Sequence, residues 1–245
     1  MRLLLINPNT TQAVTDRILA VAQEHAAPDT ELVGVTGRFG AAYVASRSSY
    51  AIAGHAALDA WAKADDGTFD AVVLSCFGDP GLDALREICS VPVLGMAESS
   101  MHLAAELGQR FGIVTGGERW GPMLREFAAS RGLGGQLATV ETVAPTGGDI
   151  ARDPEGSLKL LSDACNAAAK AGADHVILAG AGLAGLVPRI QDSVPVPLID
   201  SVVAVIQMAE RIAAAGRPAT NGASAAASPI ASIGLSPELA IRLPQ

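Results

Sequence analysis

Val72-Val73-Leu74-Ser75-Cys76-Phe77-Gly78-Asp79-Pro80-Gly81-Leu82 returns about a hundred residues later as Val176-Ile177-Leu178-Ala179-Gly180-Ala181-Gly182-Leu183-Ala184-Gly185-Leu186. Each copy is a short apolar run that breaks into a glycine-bearing turn and resumes at a leucine. An apolar run of that length, bounded by turn residues, reads as a strand buried on both faces, the habit of parallel sheets. The surroundings repeat too. Leu4-Leu5-Ile6-Asn7-Pro8-Asn9 answers Gly112-Ile113-Val114-Thr115-Gly116-Gly117, and Val91-Pro92-Val93-Leu94 answers Val194-Pro195-Val196-Pro197. The offsets, all roughly 103–108 residues, are too long for a solenoid repeat and mark a duplicated domain.

Between the strands lie Ala- and Leu-rich stretches with helical spacing, over about 11–26, up to Lys63, 82–88, 98–108, 120–130, 154–171 and 201–215. Strands expected at 2–7, 31–35, 69–75, 91–95, 110–115, 137–142, 175–179 and 194–200 alternate with them. That order implies parallel sheets wound by right-handed crossovers. The fold class expected is α/β, as two similar flavodoxin-like parallel-sheet halves related by a pseudo-two-fold axis. Ligands bind such sheets beyond the carboxyl ends of their strands, so an active site is expected in the cleft between the halves. Residues 1–98 with about 207–216 should form the first half and 99–206 the second. Residues 217–245 read as a low-complexity, poorly ordered tail.

Of 245 residues, 49% are hydrophobic and 17% charged, ample for a buried core. The formal net charge of −8 argues against nucleic acid or an anionic membrane as the partner. The apolar run Leu3–Ile6 is too short for a signal sequence or a membrane span, and no cleavage site follows it. Three cysteines with no CxxC pair fit a reducing, cytoplasmic setting, and the four histidines have no metal-ligand spacing. No GxGxxG follows the first strand, and GxxxxGK[ST] and GxSxG are absent.

Cys76 is the residue in which chemistry is best placed. It ends a buried strand just before Gly78, where backbone N–H groups of the turn and the next helix lower a thiol pKa. It reads as an acid/base thiol or a nucleophile, against the bland alternative of a small buried hydrophobe. Cys89 and Cys165 read as core. The loop Asn7-Pro8-Asn9-Thr10 offers amides, a hydroxyl and free N–H groups to a carbonyl or carboxylate, or is an ordinary capped turn. Thr115 with Gly116 and Gly117 is its counterpart. Ser46-Arg47-Ser48, in a long loop, either meets an anionic group or is simply solvated, and Glu98 and Asp200 read as helix caps rather than cleft residues.

These residues resemble a known family. The opening Leu4–Thr10, the long run from Leu74 to Thr115, Val176–Leu186 and the segment Tyr43–Tyr50 are similar to hydantoin racemases and their aspartate/glutamate racemase relatives, over about residues 1–210. The resemblance implies a cofactor-independent, oligomeric enzyme acting on a small molecule with a carboxylate or a cyclic imide or amide group. In that family two thiols face each other across the substrate, one removing the proton next to a carbonyl and the other donating a proton to the opposite face. By resemblance Cys76 is the first thiol, and Asn7, Thr10, Ser46, Phe77, Gly78, Thr115, Gly116, Ala181 and Gly182 bind substrate. The second thiol is missing, because Gly180 stands in its place. A single-thiol decarboxylase or cis–trans isomerase of the same superfamily, akin to arylmalonate decarboxylase or maleate isomerase, is therefore the competing enzyme. A small-molecule binding protein that has lost one catalytic group is the non-enzymatic alternative.

Overall fold

The computed structural model describes residues 1–108, 110–216 and 231–243. The first half runs β1 (Arg2–Asn7), α1 (Gln12–His25), β2 (Glu31–Thr36), α2 (Arg47–Ala64), β3 (Ala71–Leu74), α3 (Leu82–Ile88), β4 (Val93–Gly95) and α4 (Met96–Leu107). The second runs β5 (Phe111–Gly116), α5 (Trp120–Ser130), β6 (Leu137–Val143), α6 (Gly147–Arg152), α7 (Pro154–Lys170), β7 (His175–Ala179), α8 (Val187–Ile190), β8 (Leu198–Asp200) and α9 (Ser201–Ala214). Two four-stranded parallel sheets result, ordered β2-β1-β3-β4 and β6-β5-β7-β8. The duplication seen in the sequence is thus a duplication of topology. In each sheet the strand bearing the quoted repeat, β3 or β7, is central and buried throughout its apolar part.

The helices after the fourth strands are exchanged between the halves. Helix α4 leaves β4 yet packs on β5, β7 and β8, while α9 leaves β8 and packs on α1, β3 and β4. The two helices also pack on each other, and one apolar core runs from Leu3 and Leu5 through Val205 to Ile113 and Ile177. Closer to the strand ends, Arg47 forms a paired bond with Glu126 at 2.7 Å and Arg131 one with Asp83 at 2.9–3.0 Å. These exposed ion pairs contribute less to holding the halves in register than the shared core does.

Three sequence expectations need correction. Arg47 and Ser48, read as part of a long loop, belong to helix: the Ser46 hydroxyl accepts the Ser49 N–H while Ser49 Oγ takes the Ser46 N–H, so α2 starts at Arg47. The Gly/Pro stretch before α7 holds the short helix α6, capped in the same reciprocal way by Thr146 and Asp149. The tail is not uniformly loose. Residues 217–230 lie outside the described residues, but α10 (Pro237–Ala240) docks on α2. Leu239 is buried with Trp61 between them, Leu235 and Leu243 pack beside it, and the Arg242 guanidinium lies 5.0 Å from the Trp61 ring. Leu235, Leu239 and Leu243 supply the apolar contacts, which the alanine- and serine-rich composition of the preceding residues conceals.

Candidate active site

The carboxyl ends of β1 and β3 face those of β5 and β7 across a cavity between the halves. It is narrow in this structure, about 30 Å³ in volume, and is lined by Asn9, Tyr43, Val44, Ser75, Cys76, Phe77, Thr115, Trp120, Gly180 and Ala181. Strand β3 delivers Ser75 and Cys76 to one wall, and β5 and β7 deliver Thr115 and Gly180 to the other. No Lys, Arg, His, Asp or Glu is among the lining residues.

Cys76 is half-buried and free. Burial, followed by the nearby Asp79 charge, pushes its thiol up to about 12. This is opposite to the lowered pKa expected from the turn's N–H groups, and the geometry shows why. The helix that was to supply N–H groups begins at Leu82, and the Leu82 N–H is spent on the Asp79 carbonyl. Asp79 itself sits at φ 53°, where most side chains are strained, and its carboxyl is buried. Burial lifts that carboxyl to about 7 against the stabilising N–H bonds of Ala97 and Glu98 at 2.9 and 2.8 Å. Asp79 thereby ties the Cys76 turn to the start of α4.

On the opposite wall Gly180 has φ 115°. A Cβ built there would meet no atom nearer than Thr115 Oγ1 at 3.9 Å, so the place of the second thiol is open space. The Gly180 N–H donates to Ser201 Oγ at 3.1 Å, and Thr115 Oγ1 donates to the Ala179 carbonyl at 2.9 Å.

The chain matches the Asp/Glu/Hydantoin racemase family model over residues 3–209. It belongs to that family. A hydantoin racemase of a Pseudomonas species is 34% identical over 89% of this chain and 88% of its own length. An allantoin racemase from Klebsiella pneumoniae superposes with a TM-score of 0.88 at 30% identity, all of both chains being covered. Arylmalonate decarboxylase, with a TM-score of 0.64 over 91% of this chain and 96% of its own, is 19% identical and shares the fold. As a member of the racemase family, the chain has the two similar halves that the duplicated sequence implied.

Of the residues singled out in the sequence, the cavity of this racemase-family chain gathers Cys76, Phe77, Thr115, Gly180 and Ala181. The others lie elsewhere, for identifiable reasons. The Asn7 side chain is buried and spent within its own turn, donating to Asn9 Oδ1, the Thr11 carbonyl and Thr15 Oγ1. Thr10 is exposed, and Ser46 is the α2 cap. Gly78 belongs to a neighbouring groove, where its carbonyl accepts from Tyr50 Oη at 2.8 Å. Gly116 and Gly182 are passing places for backbone: a Cβ on Gly116 would lie 2.6 Å from the Pro145 oxygen, and one on Gly182 2.1 Å from the Gly147 oxygen. Cys89 and Cys165 are buried core. Asp200 is a cap, accepting N–H bonds from Val202 and Gly185, while Glu98 pairs with Arg86.

Asn9, from the loop singled out in the sequence, also lines the cavity, whereas Tyr43, Val44, Ser75 and Trp120 were not picked out as site residues. Ser75 carried a usable signal, since a hydroxyl at the end of an apolar buried strand wants a partner. Its Oγ is only 1% exposed as a residue and has no hydrogen-bond partner among the described residues. Tyr43 and Trp120 carried none, because loop closure across the two halves brings them in.

Proposed function

We propose that the protein is a cofactor-independent racemase or epimerase of a neutral five-membered cyclic amide of the hydantoin type, with Cys76 moving the proton on the carbon beside the carbonyl. The observation that carries this reading is the Cys76 thiol, held at the carboxyl end of a central strand and open to an interdomain cavity with no charged residue in its lining. An amino acid or a malonate brings a carboxylate that would need a counter-charge on desolvation, whereas a hydantoin ring brings only carbonyls and N–H groups. The similarity to hydantoin and allantoin racemases supports the same substrate class. The bare wall at Gly180 favours one alternative, a decarboxylase that protonates from a single side.

Incubation in D₂O decides between them. With one enantiomer of a 5-substituted hydantoin or of allantoin, the expected result is loss of optical rotation with deuterium entering the acidic carbon. Carbon dioxide release from substituted malonates, with no exchange in hydantoins, would replace this reading by the decarboxylase.

Ser75 supplies a second check. A buried hydroxyl with no partner costs about 1–3 kcal/mol, and a polar atom of the ligand would relieve that cost. Ser75→Ala is expected to leave the melting temperature unchanged or raised while KM rises about tenfold, the equivalent of 1.4 kcal/mol. A variant that melts lower and binds substrate normally would assign Ser75 to the scaffold.

A further inference from the structure

A racemase with one thiol still needs a proton on the other face of its substrate, and the cavity holds few groups able to supply one. Ser75 leaves the same strand end as Cys76 and stands on the same wall. The Thr115 hydroxyl proton is committed to the Ala179 carbonyl. The amide of Asn9 and the indole of Trp120 do not titrate, and Val44, Phe77, Gly180 and Ala181 have no exchangeable side-chain proton. Tyr43 remains.

The position of Tyr43 is unusual for a residue of the first half. A Cβ built on Gly147 would lie 2.0 Å from Tyr43 Oη and 2.8 Å from Cζ, so the phenol tip presses on the first residue of α6 in the second half. The Gly147 carbonyl in turn presses on Gly182, two residues beyond Gly180. The loop before α2 thus carries a hydroxyl across to the second half, and Tyr43 lines the same cavity as Cys76 and Gly180. The Gly147 backbone beside the phenolic oxygen favours its ionised form, but less than burial opposes it. Burial, then the charge of a Cys76 thiolate, holds the phenol protonated well above its usual range. Ionisation of one group therefore opposes ionisation of the other, which favours the pairing of one base with one acid.

We propose that Tyr43 is the catalytic acid/base on the face opposite Cys76, replacing the second thiol that Gly180 omits. The proposal rests on the racemase reading above. For the enantiomer whose C–H faces Cys76, the thiolate sulfur takes the proton and the C–H electron pair passes to the carbonyl oxygen, giving an enolate. The enolate carbon then takes the Tyr43 Oη proton from the other side, the electron pair returns to form the new C–H bond, and Tyr43 is left as phenolate stabilised by the Gly147 backbone. The opposite enantiomer runs the same steps backwards, and proton exchange with water resets the pair.

The test is Tyr43→Phe, which removes only the hydroxyl, assayed in D₂O with each enantiomer of a 5-substituted hydantoin separately. Two-sided proton transfer makes inversion and exchange separable. Racemisation is expected to fall at least ~100-fold, the usual contribution of one acid/base group. The enantiomer facing Cys76 should still take up deuterium with its configuration retained, while the other enantiomer stops exchanging. Unchanged racemisation would overturn the proposal, and so would equal loss of racemisation and of exchange in both enantiomers. Fluorotyrosine at position 43 gives an independent reading: a more acidic phenol should move the corresponding limb of the pH–rate profile to lower pH, and a limb that stays in place overturns the assignment. Wild-type enzyme run alongside separates the two levels of inference, because failure of wild type to exchange any hydantoin removes the racemase reading and the Tyr43 proposal together.

Discussion

Cys76→Ala is expected to lower kcat/KM for racemisation by at least ~1,000-fold and to stop deuterium uptake by the enantiomer whose C–H faces Cys76, with the protein still folded. The size follows from removing the only thiol in the cavity, since proton abstraction from carbon depends on a positioned base and that base is lost outright. The same group sets the pH dependence. With the thiol pushed up to about 12 by burial and by Asp79, the reactive thiolate is a minor species at neutral pH, and its fraction grows tenfold for each pH unit. In the wild type kcat/KM should therefore climb with a slope of about one on a logarithmic scale from roughly pH 7 to pH 10. The direction is fixed: raised pKa, base form scarce below it, activity gained as pH rises. Residual racemisation above a tenth of wild type in Cys76→Ala would move the chemistry to another residue. A rate that levels off below pH 9 would show a thiol much more acidic than its surroundings imply.

Gly182→Ala carries the second large effect, and it acts on the wall rather than on the base. Its Cβ would lie 2.1 Å from the Gly147 oxygen and 2.6 Å from the Gly147 carbon. Both are backbone atoms, so no side chain can swing aside, and the loop after β7 must separate from the start of α6. Overpacking of this kind costs about 3 kcal/mol, which in a chain of this size corresponds to a fall of roughly 6–12 °C in melting temperature. Activity should fall as well, because Gly147 is the contact of the Tyr43 hydroxyl. Gly135→Ala is the matched control, since a Cβ there meets nothing within 4 Å, and its stability should stay within about 0.5 kcal/mol of wild type. Equal melting temperatures for the two variants would show that the Gly147–Gly182 contact is loose.

The fold was legible because parallel α/β sheets write themselves into sequence twice over. Buried central strands must be apolar on both faces, and the crossover helices between them must carry an apolar stripe, so strand and helix alternate visibly along the chain. Duplication then printed the pattern a second time, and even the weak run Leu137–Thr142 proved to be a full edge strand, β6. Cys76, Thr115 and Gly180 were readable for the same reason, each being fixed in register by the strand it terminates. The helices α6 and α10 were less so. A helix of a few residues has no periodicity to detect, and it exists because of its caps or because a larger element offers it a groove.

The sequence by itself determined the two parallel sheets, the family and the strand ends that line the cavity, because these follow from local hydrophobic pattern and from motifs confined to one segment. Tertiary structure alone decided which side chains meet in the cavity. Asn7 and Asn9 are equivalent as letters, and both are bonded within the turn, yet only the second lines the cavity. Tyr43 reaches the far half only because α4 and α9 change places and draw the halves together. The Cys76 thiol is made less acidic first by burial and then by a carboxyl three residues away whose orientation depends on the start of α4. Contacts between distant segments, and the dielectric they create around an ionisable group, are properties of the packed chain and have no local code.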